Sequence, residues 1–248
     1  MKNHKKHHIS ILLFGFLLNI SNLYSQSNKE ESFHNWFDNS VGKENLNINN
    51  GPSYRDNYVT IGDNNMYYIA NKFTKGNVTY EGQTYYDLNI KYDLYRDQLI
   101  INPLGDSKYS SIALIQDKIS AFTVNGKNFV KLNKEVSPLP QLTTGYYELN
   151  VLREGFNFYI KHYKKMESKT QDLKAYSYFT EDNSYFIFYN NTYYVSNSKS
   201  DVLKIFPTLK KQINDFYAMN REIRKSDNDQ FMINLLKHIN SSLLITEK

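Results

Sequence analysis

Apolar and polar residues alternate with a period of two through the middle of the chain. The clearest example is DLNIKYDL at residues 87–94, where every second residue is apolar. Successive side chains of a strand point to opposite faces of a sheet, so this pattern predicts a strand with one buried and one solvated face. We expect Asp93, which occupies a polar position, to lie on the solvated face.

Short turn signals separate this run from others like it. Glu81-Gly82-Gln83 is a gap of hairpin length, and Asn125-Gly126 is the favoured two-residue hairpin turn, because both of its residues need a positive φ. Further predicted strands lie at 98–102, 111–116, 119–124, 146–152, 156–163, 176–180, 185–189 and 192–196. Pro138 and Pro140 interrupt the series and mark a loop or a change of sheet. About ten short strands joined by short turns predict antiparallel meanders.

The last fifty residues change to a helical period. Apolar residues recur at spacings of three, four and seven in two stretches, which are Val202, Ile205, Leu209, Ile213, Phe216 and Ile223, and then Phe231, Met232, Leu235, Leu236, Ile239 and Leu243. Pro207 either breaks the first pattern or begins its longer helix. Asp227 and Asp229 suit the start of the second helix. We expect both apolar stripes to pack on the sheet, and a groove for a partner helix is the alternative.

The first 25 residues have the pattern of a secretory signal peptide. A positively charged start precedes a twelve-residue apolar stretch at 9–20, and a short polar region ends at Ser25. A membrane span needs about 20 apolar residues, so we expect cleavage after Ser25 and no transmembrane helix in the mature chain. In residues 26–55, Phe33, Trp36 and Phe37 favour a short helix, and the Asn50-Gly51-Pro52 breaker favours a loop over 45–52.

Together these patterns predict an α+β protein. We expect a signal peptide at 1–25, a small helix and loop at 26–55, an antiparallel β domain at 56–197 and a pair of amphipathic helices at 198–248. The sheet is expected to be a meander of about ten strands, and strong curvature is an open option.

Composition and motifs exclude several kinds of chemistry. The chain has no cysteine, which excludes disulfides, thiol nucleophiles and cysteine-ligated metals. Three of its 30 basic residues and none of its 25 acids lie in the leader, so the mature chain has a net charge of only +2, too small to suggest nucleic acid as a partner. No motif for nucleotide binding or acyl transfer occurs. We therefore predict no cofactor, no metal and no catalytic residue.

Few residues suit acid–base chemistry. The mature chain has three histidines, His34, His162 and His238, without metal-ligand spacing. His162 is in phase with the apolar face of its strand, so we expect it to be buried, neutral and satisfied by one hydrogen bond. Neighbouring carboxylates, which are Asp93 with Asp97, Glu148 with Glu154 and Glu181 with Asp182, are expected on solvated faces and turns.

The order of several segments resembles a family of uncharacterised exported proteins from Gram-negative bacterial envelopes. The segments are GNVTYEGQTY at 76–85, YDLYRDQL at 92–99, ISAF at 119–122, GYYE at 145–148 and the helical region 210–239. The resemblance implies the periplasm or the outer membrane as the location and the same β-then-α layout. It transfers no catalytic residue.

Three functions remain open from the sequence. The leading hypothesis is a non-enzymatic interaction module that contacts an envelope protein or glycan. The strand tyrosines cannot all point inward, because neighbours such as Tyr193 and Tyr194 face opposite ways, and exposed tyrosines bind partners well. The second is a carrier that encloses an apolar ligand in a cavity lined by Leu88, Ile90, Phe122 and Phe158. The third is a hydrolase, which requires two acids, or an acid and His162, in one cleft.

Overall fold

The computed structural model describes residues 46–102 and 111–246, and before them only positions 32, 34, 36, 40 and 42. The predicted leader lies outside the described residues, as do Phe33 and Phe37 of the predicted first helix. The backbone is helical at Ser32, His34, Trp36 and Ser40. Within the predicted loop at 45–52, Asn47–Asn49 form a 3-10 turn and residues 50–52 have no regular structure. This segment leads to an isolated bridge between Ser53 and Ile112.

The described part of the chain contains twelve strands, and all contacts between neighbouring strands are antiparallel. The strands are β1 (Thr74–Tyr80), β2 (Gln83–Asp93), β3 (Gln98–Ile101), β4 (Ile112–Ala113), β5 (Ile119–Val124), β6 (Lys127–Leu132), β7 (Gly145–Arg153), β8 (Phe156–Lys161), β9 (Lys164–Gln171), β10 (Lys174–Glu181), β11 (Ser184–Tyr189) and β12 (Thr192–Val195). The predicted α+β class with an antiparallel sheet is confirmed.

Ten strands form one sheet in the order β12-β11-β8-β7-β6-β5-β1-β2-β3-β4, and β9 and β10 form a separate two-stranded sheet. Most neighbours in the large sheet are consecutive along the chain, as a meander requires. One exception is β8, which pairs with β11 because β9 and β10 form the separate sheet. The other is β1, which pairs with β2 on one side and with the much later β5 on the other. Hairpin spacing alone did not predict this second pairing.

The turn chemistry follows the expectation. Asn125 and Gly126 have φ values of 50° and 73°, and Glu81 and Gly82 have values of 51° and 83°. Each pair is a two-residue connection between antiparallel strands. Asparagine and glycine tolerate the left-handed backbone conformation well, which explains why the Asn125-Gly126 signal is reliable.

Four α-helices follow the strands within the described chain. They are α1 (Lys199–Ile205), α2 (Lys210–Met219), α3 (Arg221–Ser226) and α4 (Asn228–Thr246). The first predicted helix is thus divided: α1 ends before Pro207, and Pro207 opens a 3-10 turn that leads into α2. Asp227 caps α4, since its Oδ1 accepts a hydrogen bond of 2.8 Å from the Gln230 backbone N–H.

The helices cover one face of β7, β8 and β11, towards one end of the large sheet. Phe156, Phe158 and Ile160 of β8 lie in one buried cluster with residues of all the longer helical segments, including Ile213 of α2 and Phe231 of α4. Tyr159, between them in sequence, packs on the opposite face. The alternation predicted for 156–162 is therefore confirmed, and burial of this apolar face stabilises the docked helices.

A second core lies between strands that are not neighbours. The Tyr92 ring of β2 contacts Phe122 of β5 at 5.2 Å and Tyr146 of β7 at 6.1 Å between centroids. Phe122 in turn stacks on Phe129 at 4.8 Å. These contacts bring β2 and β7 over the same core, although β1, β5 and β6 separate them in the sheet. Strong curvature of the whole sheet stays a prediction.

Asp93 departs from the alternation rule. It is fully buried, although the pattern assigned it to the solvated face. Its carboxylate accepts hydrogen bonds from the backbone N–H groups of Tyr95 and Arg96 and from the Tyr54 hydroxyl. Burial nevertheless raises the pKa of Asp93, against the effect of these donors and of the Arg96 charge. The prediction of a solvated Asp93 is wrong because its partners supply the donors that water would supply.

The β9–β10 hairpin projects from the large sheet. Residues 165–175 are all exposed, and the hairpin is anchored at its base, where Phe179 packs against Met66. The Ser177 backbone N–H also donates to the Val59 carbonyl at 2.8 Å. Strand β9 was not predicted, because its residues are polar on both faces and show no apolar alternation.

Candidate functional site

The most distinctive polar region surrounds the β10–β11 connection, where Asp182 and Asn183 join the exposed hairpin to the large sheet. A hollow opens on either side of this connection, and Asp182 lines both. We call the first the acidic hollow and the second the lysine hollow, after the side chains that distinguish them.

The acidic hollow has a volume of about 490 Å³. Its lining consists of Glu181, Asp182, Asn183, Tyr185, Ser226, Asp227, Asn228 and Asp229. Asp227 and Asp229 stand at the start of α4, where the free backbone N–H groups and the helix dipole favour negative charge. The helix start thus favours the two carboxylates that it brings to the hollow.

A buried chain of ionisable side chains extends inward from this hollow. Asp229 Oδ2 lies 3.7 Å from Nδ1 of His162, and Nε2 of His162 is 2.8 Å from Glu148 Oε2. The Tyr185 hydroxyl donates to Asp229 Oδ1 at 2.7 Å. Glu148 and His162 are nearly inaccessible, whereas Asp229 is partly exposed. These side chains therefore connect β7, the end of β8 and the first turn of α4.

Glu148 is the most strongly held of these groups. Lys127 Nζ lies 3.0 Å from its Oε1, and the Asn150 side-chain amide donates to the same oxygen at 3.2 Å. Burial alone would raise the pKa of Glu148, but hydrogen bonds and charge from His162 and Lys127 outweigh it and lower the pKa to about 2. Glu148 is thus a buried carboxylate that its partners keep ionised.

His162 is buried and hydrogen-bonded, as the sequence predicts, but its surroundings are more polar than an apolar strand face. Two carboxylates approach its two ring nitrogens. The rings of Tyr68 and Phe129 lie 5.0 and 5.8 Å away, so the imidazole sits where the helix-covered core meets the core around Tyr92. Its neutral state stays a prediction.

The lysine hollow lies on the other side of the connection and has a volume of about 360 Å³. Its lining consists of Asp97, Gln141, Thr143, Thr144, Lys161, Tyr163, Asp182 and Ser184. The Lys161 ammonium donates to Asp97 Oδ2 at 2.5 Å and to the Tyr146 carbonyl at 3.2 Å. Burial lowers the pKa of Lys161, although the Asp97 carboxylate acts in the opposite direction.

Gly145 makes room for this ion pair. A Cβ at that position would overlap both the Asp97 carboxylate and the Lys161 ammonium. The Asp97 carboxylate is held further by the Tyr92 hydroxyl and by the Tyr146 backbone N–H. Three separate stretches of the chain therefore fix the Lys161–Asp97 pair at the floor of the hollow.

The four residues predicted to line an apolar cavity do not lie together. Leu88, Ile90 and Phe122 belong to the buried core around Tyr92, whereas Phe158 belongs to the core beneath the helices. None of them lines either hollow described above. Their role as a ligand cavity stays a prediction.

The carboxylates that the sequence placed in pairs differ in their burial and in their hydrogen-bond partners. Glu154 is exposed in the β7–β8 turn, as expected, but Glu148 is buried, so the prediction of a solvated Glu148 is wrong. Asp93 and Asp97 enter different hydrogen-bond networks. Glu181 and Asp182 are both exposed and line the acidic hollow. The convergence of Glu148, His162 and Asp229 had no signal in the sequence, because the three lie on different elements.

No group of three or more histidine, aspartate or glutamate side chains in the described part of the chain is arranged to hold a metal ion. Within the same residues, none of the helices has the length and apolarity that a bilayer crossing requires. Comparisons of the chain with models of known protein families, with curated proteins and with solved structures find no match.

Proposed function

We propose that this protein is an exported, non-enzymatic binding module of a bacterial envelope that contacts a partner protein or glycan through its β9–β10 hairpin. The exposure of the hairpin carries the proposal. An isolated two-stranded hairpin is marginally stable in water. A chain that keeps eleven consecutive exposed residues on such an arm, at 165–175, therefore has a surface suited to contact.

The side chains of the hairpin support the same proposal. Tyr176 and Tyr178 lie on one face of β10, and Lys169 Nζ stands 3.1 Å from the centroid of the Tyr178 ring. At the tip, Leu173 is fully exposed and has a φ of 62°. A leucine in this conformation costs about 1–2 kcal/mol, and in the free protein its side chain contributes no packing that offsets the cost. A bound partner would supply that packing.

The test is co-sedimentation of the mature chain with purified cell-wall sacculi and, separately, with outer-membrane fragments. We expect the wild-type chain to sediment with one of the two, and Leu173→Asp to reduce the bound fraction by about tenfold, since a charge would be desolvated at the contact. Met219→Asp is the matched control, because Met219 is an exposed apolar residue at the end of α2. Equal binding by Leu173→Asp and the control would contradict a role for the hairpin.

A second candidate function is hydrolysis by acid–base chemistry at the acidic hollow. The observation in its favour is that Asp229 lines the hollow while His162 and Glu148 stand behind it. A carboxylate in that position could accept a proton from a water molecule in the hollow.

This second candidate predicts turnover of chromogenic glycosides or esters by the mature chain. Asp229→Asn should then lower kcat by about 100-fold or more, the typical contribution of a general base. Asp182→Asn is the control, because Asp182 lines the same hollow and is exposed. Absence of turnover across the substrate panel would remove the candidate.

A further inference from the structure

The geometry points to the lysine hollow as a binding site for a neutral saccharide. This site is separate from the hairpin surface and does not depend on the function proposed for it. Its volume of about 360 Å³ is within the range of small-ligand pockets, and polar groups converge on it from four parts of the chain.

The balance of charge in the hollow favours an uncharged ligand. Lys161 is paired with Asp97 at 2.5 Å, and Asp182 is paired with Lys165 at 2.7 Å. Each carboxylate that lines the hollow therefore already has a cation. An anion or a cation in the hollow would have to compete with these pairs, whereas a neutral ligand leaves both intact.

The remaining lining groups suit a ligand with many hydroxyl groups. Thr143, Thr144, Ser184 and Tyr163 carry hydroxyls, and Gln141 carries an amide, so each can both donate and accept. Among the described residues, no protein group forms a hydrogen bond with the side chains of Gln141, Tyr163 or Ser184. These three side chains are therefore available to sugar hydroxyls, which also both donate and accept.

Tyr163 adds a surface for the apolar side of a sugar ring. It is half-buried and lies between Lys161 and the start of β9. The electron-rich face of an aromatic ring attracts the C–H groups that line one side of a pyranose. A hollow that combines one such ring with hydroxyl and amide groups therefore matches both surfaces of a sugar.

The floor of the hollow is organised before any ligand arrives. Lys161 lies 5.2 Å from the centroid of the Tyr147 ring and is also held by Asp97 and the Tyr146 carbonyl. Gly145 keeps the space that this arrangement needs. Groups that are already fixed in place lose little conformational entropy on binding. This lowers the cost of binding a neutral ligand, which gains no energy from charge.

The test is titration of the full mature chain with neutral sugars, followed by ligand-observed NMR and calorimetry. The panel is glucose, galactose, mannose, N-acetylglucosamine and the β1,4-linked dimer of N-acetylglucosamine, with inorganic phosphate as the anionic probe. We expect at least one sugar to bind with a Kd of about 1 mM or tighter, and phosphate not to compete with it.

Substitutions locate the site. Tyr163→Ala should lower the affinity for the sugar by about tenfold. Ser184→Ala and Gln141→Ala should each lower it by about 2- to 10-fold, the loss of one hydrogen bond. Tyr194→Ala, at a half-buried tyrosine of β12, and Leu173→Asp, at the hairpin tip, should leave the affinity unchanged. Gln141 is exposed, so its substitution should not disturb folding.

Three results overturn the proposal. They are failure of every sugar in the panel to bind, competition by phosphate at similar concentration, and sugar affinity that is unchanged in all three lining variants. Loss of envelope co-sedimentation in Leu173→Asp with normal sugar binding separates the hairpin function from this site.

Discussion

Glu148→Ala will destabilise the folded chain by about 1–3 kcal/mol, the cost of leaving a buried polar group, the His162 imidazole, without its hydrogen-bond partner. The substitution leaves the imidazole of His162 and the ammonium of Lys127 without the carboxylate that both contact, at 2.8 and 3.0 Å. It also removes an anchor between β7 and β8. Urea unfolding of the wild type and of Glu148→Ala measures the difference in their free energies of unfolding.

Glu154→Ala is the matched control. Glu154 is six residues further along the chain, in the exposed β7–β8 turn, and its replacement should change stability by no more than about 0.5 kcal/mol. Similar losses in the two variants would show that the Glu148 contacts contribute little to stability.

The same residue predicts how stability responds to acid. Because folding lowers the pKa of Glu148 from 4.5 to about 2, the ionised carboxylate stabilises the folded state above pH 4.5. This contribution, on the order of 3 kcal/mol, is lost as the pH falls from 4.5 towards 2. Unfolding curves at a series of pH values should show a steeper loss in this window for the wild type than for Glu148→Gln. Parallel curves would contradict the assignment.

Lys161→Met is the second substitution with a large expected effect, about 3 kcal/mol of destabilisation. It leaves the Asp97 carboxylate in a mostly buried position without its cation. Lys165→Met provides a control four residues away, because the Lys165–Asp182 pair is exposed on both sides and should contribute less than about 1 kcal/mol. Equilibrium unfolding of the two variants compares a buried pair with an exposed one.

A double variant separates loss of the ion pair from loss of packing. Lys161→Met combined with Asp97→Asn removes the uncompensated charge, so it should recover part of the stability that the single substitution loses. If the double variant is as unstable as the sum of the two single ones, the buried charge is not the cause.

The local structure could be predicted where short-range rules decide it. Asn125-Gly126 specifies its hairpin by itself, because both residues accept the positive φ that the turn needs. The apolar residues of 156–162 alternate because one face of β8 lies under the helices. Strand β9 was missed because neither of its faces is buried beyond Lys164, so the sequence has no reason to alternate.

The polar sites were not predictable in this way, since they depend on contacts between distant segments. Asp97 reaches Lys161 across 64 residues, and no spacing rule links them. The burial of Asp93 was not predictable for the same reason. The donors that allow it include the Tyr54 hydroxyl, 39 residues earlier in the chain. Periodicity predicts the face of the strand to which a side chain points. Its hydrogen-bond partners come from distant segments that only the folded chain brings together.

The position of β1 in the sheet has a consequence for synthesis of the chain. Its second neighbour, β5, begins at Ile119, 39 residues after β1 ends at Tyr80. As the polypeptide grows from its N-terminus, the β1–β2 hairpin can close early, but the far side of β1 keeps its backbone N–H and C=O groups unpaired until β5 has been made. That nascent intermediate has an unpaired strand edge that can pair with other chains, and Lys75 is the one charged side chain of the strand that opposes this. We therefore expect molecular chaperones to bind the nascent chain during this interval.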